Sequence, residues 1–320
     1  MMKKESSNIE PPGSHRSHRS LLSYLGLTAR GFCMGSADVV PGVSGGTMAF
    51  ILGIYEELIK AIRSFDLPFL RLLLSLKMRE AMDHVAWKFL AAVGLGIFLA
   101  IFSLARILSW LLQNRPILIW SFFFGLILAS VFTVGRHVSK WDLSMILWMI
   151  LGILGAYLLV GLVPLTTPNA PWFLFLCGAV AICAMILPGI SGAFVLVLMG
   201  KYQYVLEAVN TRDLITLFLV AAGAGVGLVS FARLLNWLFK RHHDMTIAIL
   251  TGLMLGSLRK IWPWKETIRA IQDHQGNLIP VQQANILPLK WDGEVMIALC
   301  LILLGFLVVF FMNRWVEKTS

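Results

Sequence analysis

Charge is what this chain has least of. Only 14% of its 320 residues are Asp, Glu, Lys or Arg, against 58% that are hydrophobic, which excludes an ordinary soluble domain. Cysteine is scarce too. Cys33, Cys177, Cys183 and Cys300 all lie in apolar segments, form no CxxC pair and have no His at ligand spacing. They read as small buried residues, which argues against a disulfide framework or a metal centre. No metal or cofactor is expected. A cleavable leader is missing as well: residues 1–20 are polar and rich in Ser, His, Lys and Arg, and no apolar run follows a basic start. Residues 1–24 are expected to be a disordered cytoplasmic tail. Acidic residues are fewer than basic ones, leaving a net charge of +10. In a chain this apolar, membrane topology and anionic lipid headgroups account for that excess, and nucleic acid is not an expected partner.

What the chain does have is long apolar runs. A bilayer span takes roughly 20 apolar residues. Phe89–Leu112, Ile117–Gly135, Leu143–Val163, Leu214–Phe239 and Val295–Met312 qualify, and Met245–Leu258 is a shorter candidate. The expected fold class is an all-α polytopic membrane protein.

A short phrase occurs twice. Residues 37–62 read ADVVPGVSGGTMAFILGIYEELIKAI and residues 184–209 read AMILPGISGAFVLVLMGKYQYVLEAV. Pro41, Gly42, Ser44 and Gly45 match Pro188, Gly189, Ser191 and Gly192, and Gly53 and Tyr55 match Gly200 and Tyr202. Both copies interrupt an apolar stretch with the residues least able to continue a helix. Inside a membrane, backbone that leaves the helix survives only where it is buried in protein or lines a cavity. Paired interruptions at matching positions in two halves point to a transporter's binding site.

The duplication extends further. Ala105-Arg106-Ile107-Leu108-Ser109-Trp110-Leu111 matches Ala232-Arg233-Leu234-Leu235-Asn236-Trp237-Leu238, and Lys140-Trp141-Asp142 matches Lys290-Trp291-Asp292. Gly125 meets Gly252, Ser130 meets Ser257 and Gly155 meets Gly305. The first repeat is expected over 25–163: a re-entrant hairpin at 28–62, an interfacial segment at 63–88, then three spans. The second is expected over 172–313: a re-entrant hairpin at 172–209, then three spans with a loop insertion at 259–293. A hairpin adds no net crossing, so three further spans make each half odd and the second half inverted.

Charge supports inversion. With the N-terminus inside, segments 1–30, 63–88, 136–142, 239–244 and the C-terminus are cytoplasmic and rich in Lys or Arg. The outside loops at 113–116, 164–171 and 210–213 carry only Arg115 and Arg212. The insertion, with Arg259, Lys260, Lys265, Arg269 and Lys290, falls outside and breaks the rule.

After each Pro-Gly the helix restarts at small residues, Ser44-Gly45-Gly46-Thr47 and Ser191-Gly192-Ala193. A helix N-terminus offers N–H groups and a positive dipole end, Gly permits close approach, and hydroxyls add donors. Two such termini facing each other would bind an anion near the midplane; close helix packing is the other use for these glycines. Arg30, Arg106 and Arg233 supply positive charge in apolar segments, where charge usually faces a cavity. Arg106 and Arg233 lie near helix ends, so snorkelling is their alternative. Asp38, just before the first break, is expected to cap the restarted helix or pair with Arg30, with carriage of a coupling proton as the alternative. The run Gly223–Gly227 has no preceding strand and reads as packing rather than a nucleotide loop.

The stretch Gly35-Ser36-Ala37-Asp38-Val39-Val40-Pro41-Gly42-Val43-Ser44-Gly45-Gly46-Thr47, followed by Gly53-Ile54-Tyr55-Glu56, resembles the signature of the PopT-type polyprenyl-phosphate transporter family. The resemblance covers about residues 25–315. It implies a bacterial cytoplasmic-membrane protein, for which the span count and charge bias above place both termini in the cytoplasm. It also implies recycling of undecaprenyl phosphate, an anionic lipid, from the outer to the inner leaflet for wall polymer synthesis. The second copy departs from the first, with Ala193-Phe194 where Gly46-Thr47 stand. Two alternatives stay open. An integral polyprenyl-pyrophosphate phosphatase can also use inverted broken helices, but it wants an acid–base set near the Ser, and neither broken element holds a His. A small-anion carrier would use the same midplane site.

Overall fold

The computed structural model describes residues 20–38, 44–162, 167–272, 278–288 and 290–319, and for a few of these, Arg106 among them, the backbone alone. Residues 1–19 of the expected tail, and Pro41 and Gly42 of the first break, lie outside the described residues.

The first broken element consists of α1 (Leu21–Asp38), α2 (Gly45–Ile51) and α3 (Tyr55–Arg63). Both return arms are bent at a glycine. Gly53 N–H bonds to Phe50 O and Ile54 N–H to Ala49 O, with Gly53 at φ 69°. This paired closure is the left-handed glycine stop of a helix C-terminus. The second copy repeats it at Gly200, φ 64°, with bonds to Val197 O and from Lys201 N–H to Leu196 O. Segment 63–88 forms α4 (Leu67–Leu74) and α5 (Met78–His84), whose Leu67, Leu74, Met78 and Met82 are exposed. Asp66 caps α4 by accepting from Phe69 N–H at 3.0 Å.

Three long helices follow: α6 (Trp87–Asn114), α7 (Pro116–Gly135) and α8 (Leu143–Gly161). Pro116 opens α7, where its missing N–H costs nothing. Asp142 caps α8 through Met145 N–H at 2.8 Å. The second broken element consists of α9 (Pro171–Ile186), α10 (Gly192–Leu198) and α11 (Tyr202–Thr211), with α10 and α11 bent by 110°. Then come α12 (Leu214–Arg241), α13 (His243–Ile261), the strands β1 (Lys265–Gln272) and β2 (Leu278–Asn285), and α14 (Gly293–Thr319). Asp292, the repeat partner of Asp142, caps α14 through Val295 N–H at 3.2 Å. The insertion, expected as a loop, is an antiparallel hairpin pairing Lys265 with Asn285 and Gln272 with Leu278.

Among the described residues, five helices, α6, α7, α8, α12 and α14, are long and apolar enough to cross a membrane. The bent pair α10–α11 is a sixth if it counts as one span. The protein is therefore a mostly helical, polytopic membrane protein. By contrast, α13 lies in the interior: Ile247, Leu250, Met254 and Ile261 are buried. Its Thr246, Thr251 and Ser257 are buried too and satisfy their hydroxyls on carbonyls of the same chain segment. A helix shielded by protein needs no lipid-facing apolar belt.

The helices pack as four close pairs, α1 with α6, α9 with α12, α7 with α14 and α8 with α13. Small residues set each approach. A Cβ on Gly31 would strike the Val93 carbonyl, and one on Gly178, its repeat partner, would strike that of Val220. Gly125 meets Ile302 and Gly252 meets Met149 in the same way. Gly223 and Gly227 abut Phe175 and Ala179, as a packing role requires, while Gly225 faces open space. Within each pair the helices run parallel: Gly31 meets Val93 and Gly35 meets Ile97, and Met149 meets Gly252 while Gly161 meets Arg259.

Candidate functional site

The two breaks meet. Pro188 ends α9, because it lacks an N–H and holds Leu187 in extended backbone at φ −66°, ψ 130°. The last carbonyls of α9 are thereby left without helical partners. Side chains of the first broken element fill that gap. The Ser44 hydroxyl donates toward the carbonyls of Met185 and Leu187, at 2.9 and 3.2 Å. The Tyr55 hydroxyl donates to Ile186 O at 3.2 Å. In the other direction, Gly189 N–H donates to Thr47 Oγ1 at 2.9 Å. Ser44, Thr47 and Tyr55 are all buried.

The start of α2 is also internally satisfied. Ser44 is its N-cap, in extended backbone, and accepts from Gly46 N–H at 3.1 Å. Gly45 N–H donates to Asp38 Oδ1 at 2.7 Å. Asp38 therefore caps the restarted helix from the end of α1, with its carboxylate at the positive end of α2. The start of α10 differs: Ser191, its N-cap, makes no side-chain capping bond.

The glycines sit where chain touches chain. A Cβ on Gly45 would run into the Asp38 carboxylate, and one on Gly46 into the Ile186 carbonyl. A Cβ on Gly192 would stand 2.5 Å from the Ala181 carbonyl. Gly189 has φ +86°, a conformation that glycine adopts at no steric cost, and packs against Met254 and Ser257 of α13.

The expected residues thus fall into two groups. Asp38, Ser44, Gly45, Gly46 and Thr47 lie with Pro188 and Gly189 at one junction, with Ser191 and Gly192 just beyond. Among the described residues, neither Arg30 nor Arg233 hydrogen-bonds into it. Arg30 is half-buried on α1, eight residues before Asp38, and makes no ion pair with a described residue. Arg106 lies on α6. Arg233 is exposed on α12 and lines a cavity of about 690 Å³ with Arg63, Asp66, Lys240 and Arg241. Burial would raise Asp66, but hydrogen bonds from Phe69 N–H and His84, with the charges of His84 and Arg233, outweigh it and hold its carboxyl below the usual range. Tyr55 was noted in the sequence only as a repeat landmark, and Arg63, Lys240 and Arg241 only as topology signals. Their burial or clustering is visible only once α3 is seen packed against α12.

Fold and site together define a polytopic membrane protein whose centre is built from two broken helical elements locked to each other. Comparison with known proteins sharpens the class. The family model described as undecaprenyl phosphate translocase-like matches residues 34–279. A polyprenyl-phosphate transporter of Vibrio cholerae serotype O1 is 43% identical over 303 residues, covering 93% of this chain and 98% of that protein. A polyprenyl-phosphate transporter of Staphylococcus aureus is 30% identical over 254 residues, covering 73% of this chain and 84% of that protein. No solved structure matches the chain significantly. The chain belongs to the undecaprenyl phosphate translocase-like family.

Proposed function

We propose that this protein carries undecaprenyl phosphate across the bacterial cytoplasmic membrane, from the outer to the inner leaflet, returning the lipid carrier to wall polymer synthesis. The observation that carries the reading is the junction of the two breaks, where Ser44 and Thr47 bond the backbone of Met185–Gly189. Backbone freed from a helix at the core of a membrane protein is the usual ground for a midplane site. The names of the relatives, both polyprenyl-phosphate transporters, favour a lipid phosphate as cargo. A phosphate headgroup needs help across the low-dielectric core, whereas its polyprenyl tail is at home in lipid.

Alternating exposure of the junction needs two halves that can exchange roles. Pairing α7 with α14 and α8 with α13 is unchanged when the halves are swapped, because the second span of each half packs on the third span of the other. Successive spans joined by short turns are antiparallel, whereas these cross-pairs are parallel. Both hold together only if the second half is inverted, which supports inverted repeats with both termini cytoplasmic. Transport also fits the junction better than hydrolysis: the Ser44 hydroxyl is committed to carbonyl oxygens, and no His occurs in residues 21–63 or 171–211.

The test is uptake of labelled undecaprenyl phosphate between leaflets of liposomes that contain only this protein. Transfer faster than in empty liposomes, with the phosphate intact, is the expected result. Release of inorganic phosphate from the pyrophosphate would instead point to an enzyme.

A further inference from the structure

Two of the departures from the duplication come together at one spot in the structure. The first departure is the insertion, the β1–β2 hairpin. The second is Phe194, which stands in α10 at the position that Thr47 holds in α2. Beneath the hairpin, where α8 and α13 end, lies a cavity of about 200 Å³ whose lining includes Phe194, Arg259, Lys260, Lys265, Gln283 and Asn285. The hairpin is tied down over it. Trp262 Nε1 donates to Ile286 O at 2.8 Å, Asn285 Nδ2 to Arg259 O at 2.8 Å, and Ile286 N–H to Trp264 O at 3.1 Å. Trp264 itself is buried against Val295 and Ala298 of α14.

Among the described residues, three cations line this cavity and no carboxylate does. They are held by aromatic faces and main-chain oxygens instead. The Arg259 guanidinium lies 4.2 Å from the Tyr157 ring centroid and donates to Tyr157 O at 3.1 Å. Lys260 Nζ sits 4.6 Å from the centroid of Phe194. Lys265 Nζ sits 4.3 Å from that of Trp120 and donates to Lys260 O. Solvated lysines would extend into water; these two turn inward. Burial, and then the neighbouring charge of Lys260, push the Lys265 ammonium down to about 7. Partly buried cations without a counter-charge are costly, and none of the described residues at this cavity supplies an anion. A phosphate monoester brings a charge of roughly −1.5 to −2 and three strong acceptor oxygens, matching three cationic donors and two amides.

We propose that the cavity under the hairpin is a docking site for a phosphate monoester headgroup, held by Arg259, Lys260 and Lys265 beside the second broken helix. The proposal rests on the transport reading and adds to it a place where the headgroup is captured before it reaches the junction of the breaks. It also gives the basic insertion, which defies the charge rule of the loops, a task of its own. The apolar rim at Leu162 and Ile268, both exposed, offers the start of a hydrocarbon chain a surface to lie on.

The test is amine footprinting of the purified full chain in phosphatidylcholine nanodiscs. Acylation of each lysine is read by mass spectrometry with farnesyl phosphate, farnesol or inorganic phosphate present, beside a direct binding measurement with labelled farnesyl phosphate. Farnesyl phosphate is expected to slow acylation of Lys260 and Lys265 at least fivefold, and farnesol to leave it unchanged. Lys260→Gln/Lys265→Gln should weaken farnesyl phosphate binding tenfold or more, while Lys265→Arg, which keeps the charge, should stay within a few-fold of the parent. Equal protection by inorganic phosphate at equal concentration would keep the phosphate site and assign it to the free ion. Undiminished acylation while farnesyl phosphate still binds would overturn this site and leave the transport reading standing. Failure of the parent protein to bind farnesyl phosphate at all would remove both.

Discussion

Gly189 N–H donates to the buried Thr47 hydroxyl at 2.9 Å, joining residues 142 positions apart at the junction of the two breaks. Thr47→Val keeps the shape and removes the acceptor, stranding a buried N–H. The cost of such a group is about 1–3 kcal/mol. Thr47→Val is therefore expected to melt at lower temperature than the parent and to transport poorly, with Thr47→Ser close to the parent in both. Thermal unfolding in detergent and liposome transport are the measurements. An unchanged melting temperature in Thr47→Val would show that the bond contributes nothing to holding the halves together.

Much of this architecture is legible in the chain because membrane helices announce themselves by length and apolarity, and because a duplicated sequence repeats its own stops. Asp142 and Asp292 were visible as a matched pair and turn out to be matched N-caps. Gly53 and Gly200 were visible as a pair too, but their meaning, a sharp bend inside each return arm, was missed. A single Gly within an apolar run is compatible with a continuous helix, and only its positive φ shows the stop. The hairpin at 265–285 was hidden for a different reason: its strands alternate poorly, with Pro280 inside one of them. Contacts such as Ser44 with Met185 are set by tertiary packing and leave no local trace.

Asp38 and Gly45 act as a unit. Asp38→Ala removes a charge-assisted bond to the first N–H of α2 and is expected to cost about 1.5–3 kcal/mol. Asp38→Asn, which keeps an acceptor oxygen, should cost less. Gly45→Val should resemble Asp38→Ala, because the new side chain displaces the carboxylate. Gly192→Val collides with a main-chain carbonyl, which cannot swing away, and should be at least as destabilising. Melting curves of the four variants give the order, and a Gly45→Val protein as stable as the parent would contradict the cap.

The three arginines are expected to matter for transport rather than for folding, since Arg233 is exposed and Arg30 pairs with no described carboxylate. Arg30→Ala, Arg106→Ala and Arg233→Ala should each insert normally and each lower transport. An arginine–phosphate contact is worth about 1.5–3 kcal/mol, or roughly ten- to a hundredfold. Lys at the same positions should restore only part, having no planar fork. Normal transport by all three Ala variants would reduce them to headgroup anchors.

The proposed inversion of the repeats assigns each loop to a side of the membrane. Thr211→Cys, at the end of α11, should react with a membrane-impermeant maleimide in intact cells. Lys140→Cys, before α8, should react only after lysis. Both positions are exposed. Labelling of both in intact cells, or of neither, would be incompatible with the odd number of crossings per half.

Lys265 carries the last prediction. Among the described residues, Arg259 and Lys260 of α13 face it with positive charge, Gln283 and Asn285 of β2 and Trp120 of α7 face it with none, and the lining holds no carboxylate. Its ammonium titrates near 7, pushed down first by burial and then by Lys260, whereas an unfolded lysine titrates near ~10.4. The sign follows from proton counting. Between those values the unfolded chain binds the proton and the folded chain does not, so stability rises with pH across the window and is flat above it. Lys265→Met should abolish that rise. The direct measurement is the acylation rate of Lys265 against pH, which should reach half its plateau near pH 7. A phosphate monoester in the cavity should move the Lys265 midpoint upward, because an anion restores the charged form. A midpoint near 10 in the unliganded protein would place Lys265 in open water, outside the cavity described here.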